Sequence, residues 1–115
     1  MYNKYSKREM KKGSYVVRIA SMRKVKSKNG NWLFRVDFDT LLDPDNRDCF
    51  ETITDYIKLT DYNRLLDMQK SFIGLDFTDL STVIGCEGIV RYNLGYINYV
   101  NLAEIAEAEN IDINI

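Results

Sequence analysis

The side chains that could carry out covalent or metal chemistry are few, because the sequence contains no His. The absence of His excludes Ser–His–Asp and Cys–His catalysis, HExxH zinc sites and zinc fingers that need His. The two cysteines, Cys49 and Cys86, lie too far apart for a CxxC redox pair and are too few for a Cys₄ metal site. Two such thiols are typical of a reducing compartment.

Carboxylates are the remaining candidates for a catalytic or metal site. Asp37 and Asp39 share one face of a predicted strand and could hold Mg²⁺, but no third carboxylate with a Lys completes a nuclease site. Asp43, Asp45 and Asp48 resemble the start of a calcium loop whose Gly and Glu are missing. The glycines form neither GxGxxG nor GxxxxGK. We therefore expect no enzyme, no metal and no cofactor.

Charge is strongly segregated along the 115 residues, although the net charge is only −1. Residues 1–36 contain eleven Lys and Arg and a single Glu, a net charge of +10, and residues 37–115 have a net charge of −11. A cluster of cations of this kind favours a polyanionic partner, because phosphate binding releases counterions. The alternative is a solvated basic face that the acidic residues balance elsewhere in the fold.

The sequence also contains aromatic side chains. Binding to single-stranded nucleic acid requires both cations and aromatic rings. Cations follow the phosphate backbone, and aromatic rings stack on the bases. Several of the eight Tyr are expected in the core, and the phase of Trp32 groups it with buried residues although it lies next to a turn. The candidate nucleic-acid-binding residues are Arg18, Arg23, Lys24, Lys26, Lys28, Trp32, Arg35, Arg91, Tyr92, Tyr96 and Tyr99.

The elements that must position these residues are mainly strands. Alternation of apolar and polar residues predicts strands over 14–25, 31–42 and 49–57, and two more around 89–92 and 96–102. Asn29-Gly30, the segment from Asp43 to Asn46, and the segment from Asn93 to Gly95 are predicted turns.

One helix is predicted between the third and fourth strands. Thr60 is its expected N-cap, and Gly74 lies where a C-cap is expected after a last turn at Ile73. Its predicted apolar face is made of Tyr62, Leu65, Leu66, Gln69, Phe72 and Ile73.

The order β-β-β-α-β-β is that of the OB-fold, a five-stranded, partly open barrel. The face of its strands two and three and the loops after strands one and four bind oligonucleotides. Within this order, the segment from Gly13 to Ile19, followed by Ser27 to Asn31 and then Phe34, Val36 and Phe38, resembles the first hairpin of small phage-type single-stranded-DNA-binding proteins. Residues 85–90 and 95–99 are similar to the last hairpin of that family. The resemblance implies a mainly β protein that coats single-stranded DNA.

The expected organisation is a basic flexible arm over residues 1–12, an OB-fold domain over 13–102 and an acidic tail over 103–115. The tail ends in Asp112-Ile113-Asn114-Ile115 and could recruit a protein partner, although it lacks the family's long linker and Pro-Phe ending. Open strand edges would allow a homodimer. The polar N-terminus and the lack of an apolar run of roughly 18 residues predict a cytoplasmic protein with no membrane partner.

A second hypothesis remains open on the same sequence. The acidic residues after position 36 are compatible with a small regulatory or inhibitory protein that binds another protein, for example a basic nucleic-acid-processing enzyme. Dependence of binding on acidic rather than basic residues would favour this alternative.

Overall fold

The structure of the protein is a computed structural model that describes residues 11–41 and 49–103. Its elements are β1 (Gly13–Lys26), β2 (Trp32–Leu41), β3 (Cys49–Lys58), α1 (Tyr62–Ser71), one turn of 3₁₀ helix (Leu80–Thr82), β4 (Glu87–Asn93) and β5 (Tyr96–Tyr99). This order confirms the predicted β-β-β-α-β-β arrangement.

The five strands form one antiparallel sheet in the order β3-β2-β1-β4-β5, strongly curled into a half-barrel consistent with an OB-like fold. The central strand β1 is long enough to serve two neighbours. Its first part, Gly13 to Arg18, pairs with β4, and its part from Val17 to Lys26 pairs with β2. The register shifts between Ile19 and Ser21, and such an irregularity bends a strand and increases its twist.

The core lies on the concave face of the sheet, which we call the inner face, and the opposite face is called the outer face. Every second residue of a strand points to the same face, so the alternation in β1 and β2 places one apolar row inside. The residues of the core cluster are Val17, Ile19, Met22, Phe34, Val36, Phe38, Ile53, Ile57, Met68, Phe72, Val83, Val90, Ile97 and Tyr99.

The two predicted hairpin turns in the described residues are confirmed. Between β1 and β2, Gly30 adopts a φ of +87°, and the amide of Ser27 donates to the carbonyl of Asn31 at 2.8 Å. Between β4 and β5, Leu94 and Gly95 have φ values of +49° and +90°. Two consecutive residues with positive φ match the right-handed twist of the strands that they connect.

Helix α1 begins and ends at residues other than those predicted. Its N-cap is Asp61, whose side chain accepts from the backbone amide of Arg64 at 3.4 Å, and not Thr60. Its last residue is Ser71, and Gly74 lies beyond the cap with a φ of +82°. A carboxylate one residue after Thr60 is an equally good cap, and residue type alone does not choose between them.

The predicted apolar face of α1 is wrong in part. Met68, Ser71 and Phe72 are buried against the sheet, whereas Tyr62 and Ile73 are 73% and 79% exposed. Leu66 is also exposed, at 48%. The predicted face thus combined Tyr62 and Leu66, on the exposed side of the helix, with Phe72 and Ile73, which follow its last residue.

The predicted turn from Asp43 to Asn46, residues 1–10 of the basic arm and residues 104–115 of the acidic tail lie outside the described residues. Among the described residues, no helix is long and apolar enough to cross a membrane. Within the same ranges, no group of three or more His, Cys, Asp or Glu could hold a metal ion.

Candidate nucleic-acid interface

The candidate interface lies where the ends of β1 and β3 meet the beginning of β2. Cross-strand pairing places Arg23 opposite Arg35, and Arg35 opposite Tyr56, in one row across three strands. This row is in phase with exposed rather than buried residues, so it belongs to the outer face. The guanidinium carbon of Arg35 lies 6.0 Å from the centroid of the Tyr56 ring, which is 53% exposed. An exposed aromatic ring therefore lies next to a guanidinium group on this face.

Arg35 is held in place by Asp37 on the same face. The Nε of Arg35 donates to Asp37 Oδ1 at 3.4 Å, and the hydroxyls of Ser21 and Thr54 donate to the same carboxylate at 2.7 and 2.6 Å. These hydrogen bonds from Ser21 and Thr54, together with the charge of Arg35, hold the pKa of Asp37 below its ordinary value. Asp37 remains ionised at neutral pH and orients Arg35 while offsetting part of its charge.

A second row continues the inner face beyond the end of the core. Lys24 is opposite the buried Phe34, and Lys26 is opposite Trp32. The Lys26 ammonium lies 5.7 Å from the centroid of the Trp32 ring, which is 52% exposed, close enough for a cation–π contact. Lys28 is exposed in the turn that joins these strands.

An open cavity of about 380 Å³ adjoins this second row. It is lined by Gly30, Asn31, Trp32, Lys58, Leu59 and Thr60. We give the name hairpin-end surface to the outer-face row Arg23–Arg35–Tyr56 and the inner-face row Lys24–Lys26–Trp32, together with Lys28 and Lys58, which surround this end of the sheet. Six of its residues are cations, and two are exposed aromatic rings.

Arg18 does not belong to this surface. Its guanidinium lies 3.7 Å from the carboxylate of Asp39, its cross-strand neighbour on β2, and its cross-strand neighbour on β4 is Glu87. Arg18 points to the outer face, but acidic residues flank it on both sides. Its charge is therefore largely offset locally.

The candidates on β4 and β5 are also separate from the hairpin-end surface. Arg91 is exposed opposite Ser14, nine residues along β1 from Arg23, which corresponds to roughly 30 Å of extended strand. Tyr92 is half-buried on the inner face and packs against the core. Tyr96 is 76% exposed beside the turn between β4 and β5.

Tyr99 is not placed for the predicted stacking role, because its ring is in the core. It is 9% exposed, and its ring centroid lies 6.1 Å from that of Phe38 and 6.0 Å from that of Phe72. Its hydroxyl donates to Asp55 Oδ2 at 2.6 Å. Tyr99 is in phase with Ile97, which is also buried, so its ring has no free face for a base.

Sequence reasoning did not identify Tyr56 and Lys58. The signal that could have found Tyr56 is the alternation of Ile53, Asp55 and Ile57 with Thr52, Thr54 and Tyr56 along β3. Both residues became candidates only once the register placed Tyr56 against Arg35 and Lys58 against Leu33.

No protein-family model matches the sequence, and no curated protein matches it at a significant level.

Proposed function

We propose that this protein binds single-stranded DNA through the hairpin-end surface, with little sequence preference, as a coating protein of phage or mobile-element type. The observation that carries the proposal is the pairing of cations with exposed rings, Lys26 with Trp32 and Arg35 with Tyr56, at the end of the β1–β2 hairpin. Phosphates need the cations, and unpaired bases need the ring faces.

The distribution of charge supports a footprint at this end of the sheet. Farther along the outer face, Asp39 and Glu87 flank Arg18, so that region attracts a polyanion weakly. At the hairpin end, Arg23, Lys24, Lys26 and Lys28 are exposed. The described residues of the hairpin end thus carry an excess of cations over carboxylates.

Low sequence preference follows from the kinds of contact that these side chains offer. Lysine is a point charge that binds any phosphate, and every base presents a ring face for stacking. The resemblance of both hairpins to phage-type single-stranded-DNA-binding proteins agrees with this chemistry.

The test is the fluorescence anisotropy of a labelled thymidine oligonucleotide of ~20 nucleotides, long enough for one or more OB-fold sites. Lys26→Glu should weaken binding about tenfold at low salt and flatten the salt dependence, because one phosphate contact is lost. Lys70→Glu makes the same charge change at an exposed position of α1 and serves as the matched control. Equal effects of the two substitutions, or no binding by folded wild-type protein at micromolar concentration, would refute the proposal.

The alternative, binding to another protein, is favoured by one observation. Two large apolar side chains of α1, Tyr62 and Leu66, are 73% and 48% exposed, and Ile73 just beyond the helix is 79% exposed. If oligonucleotides fail to bind, a pull-down with wild-type protein and a Leu66→Asp variant discriminates this reading. A partner captured by the wild-type protein and lost with the variant would support protein binding.

A further inference from the structure

The gap between the two edge strands β3 and β5 contains an open cavity of about 420 Å³, which we call the seam cavity. Its lining residues are Asp55, Arg64, Gly95, Tyr96, Ile97 and Asn98. This volume is within the range of sites for small organic ligands. None of the contacts of the hairpin-end surface involves these residues.

The floor of the seam cavity is polar but electrically balanced. The guanidinium of Arg64 donates to both oxygens of Asp55, at 3.3 and 2.7 Å, and also to the carbonyl of Ile97 at 2.8 Å. Tyr99 donates to the same carboxylate at 2.6 Å. Because each charge already has its partner, the floor has little attraction for a free ion and instead suits a neutral polar ring.

The rim of the cavity supplies a ring and an amide, and a cation lies beside the amide on β4. Tyr96 is 76% exposed, and the exposed Asn98 side chain makes no hydrogen bond within the described part of the chain. Arg91 is directly opposite Asn98 on β4, so its exposed guanidinium side chain shares the outer face with that amide. An aromatic plane, an amide and a cation are the groups that recognise the base face, the base edge and the phosphate of one nucleotide.

We infer that the seam cavity binds one adenine nucleotide of the single strand, with the base against Tyr96, its edge at the Asn98 amide and its phosphate at Arg91. Adenine is the base whose N6 amino group and N7 match an Asn amide by two hydrogen bonds. The inference rests on the proposed function, since it adds a preferred base to a strand that the hairpin-end surface binds without preference.

The test has two arms. In the first, ¹⁵N-labelled full-length protein is titrated with dAMP, dGMP, dCMP and dTMP, and backbone amide shifts are followed by NMR. We expect dAMP to shift the amides of Gly95, Tyr96, Ile97 and Asn98 most strongly. Asn98→Ala should remove the preference for dAMP, and Tyr96→Ala should weaken all four nucleotides. Tyr62→Ala removes a Tyr of similar exposure from α1 and should change nothing.

In the second arm, the thymidine oligonucleotide is compared with one that carries a single central dA. Wild-type protein should bind the dA oligonucleotide about fivefold more tightly or better, and Asn98→Ala should bind the two equally. Salt-dependent binding of both oligonucleotides without a preference would overturn the inference while the proposed function stands. Shifts of the cavity amides by dAMP without any oligonucleotide binding would support the cavity and refute the proposed function. Nucleotide shifts spread evenly over the surface would overturn the inference.

Discussion

The hydroxyl of Tyr99 donates a hydrogen bond of 2.6 Å to Asp55 Oδ2, and this bond crosses the gap between the two edge strands of the sheet. No backbone ladder joins β3 to β5 within the described residues. Arg64 completes the connection, because its Nη2 donates both to Asp55 and to the carbonyl of Ile97 on β5. Three side chains thus connect β3 and β5 by hydrogen bonds across a gap that no strand pairing closes in the described residues.

Replacing Arg64 with Gln should therefore destabilise the whole fold. The substitution leaves Asp55, whose side chain is only 13% exposed, without its ion partner, and we expect a loss of about 3 kcal/mol of unfolding free energy. Urea denaturation measures this loss as a lower midpoint. Lys70→Gln, on an exposed position of the same helix, should change stability by less than about 0.5 kcal/mol. An unchanged midpoint for Arg64→Gln would show that the seam connection contributes nothing.

Stability should fall at alkaline pH because of Tyr99. Burial, and then the negative charge and hydrogen bond of Asp55, raise the pKa of Tyr99 well above its ordinary value of 10.0. Because its pKa is raised, Tyr99 contributes fully to the free energy of unfolding below about pH 10. This contribution is lost as the pH rises through the pKa of the folded state. Urea denaturation across this range should show a decline that Tyr99→Phe reduces. An equal decline in both proteins would assign the effect to other groups.

Gly88 should not tolerate a side chain. A Cβ at this position would lie 2.6 Å from the ring of Phe72, which is fully buried between the helix and the sheet. We expect Gly88→Ala to destabilise the protein by about 2 kcal/mol or more through overpacking, measured by thermal unfolding. Gly13→Ala is the matched control, because a Cβ at Gly13 meets nothing within 4 Å. A Gly88→Ala protein as stable as the control would mean that Phe72 repacks freely.

Tyr56 should contribute to oligonucleotide binding if a base stacks on it. Tyr56→Ala is expected to weaken the binding of single-stranded DNA by about 1–3 kcal/mol, the range for loss of one stacked base. Tyr62→Ala removes another exposed Tyr, which lies on α1 and not in the row of Arg35, and should leave the anisotropy titration unchanged. Circular dichroism of both variants verifies the fold. An equal loss of affinity for single-stranded DNA in the two variants would show that Tyr56 is not part of the interface.

Asp37 should stabilise the sheet only while it is ionised. Hydrogen bonds from Ser21 and Thr54 and the charge of Arg35 lower its pKa below the ordinary 3.8. Because its pKa is lowered, Asp37 contributes to the free energy of unfolding above about pH 4. This contribution is lost as the pH falls through the pKa of the folded state. Asp37→Asn should therefore reduce stability at pH 7 and make acid unfolding less steep. Parallel acid titrations of the two proteins by circular dichroism would contradict this.

The sequence by itself determined the order of elements, the two hairpin turns in the described residues and the face on which most strand residues lie. These features depend on local chemistry, because alternation has a period of two residues and positive φ favours Gly. The local sequence also predicts one shared turn for four candidate residues, because they are close together in the chain. These residues are Lys24, Lys26, Lys28 and Trp32.

Only the tertiary structure decided which of the candidate side chains are exposed and free of a neighbouring opposite charge, and so can bind a ligand. The sheet register gave Arg18 its neighbour Asp39 and put Tyr56 beside Arg35. Packing of the sheet against Phe72 buried Tyr99, and Tyr62 and Leu66 of α1 stayed exposed. Cross-strand pairs and helix packing join residues that are far apart in the chain, and local periodicity contains no information about which distant residues meet.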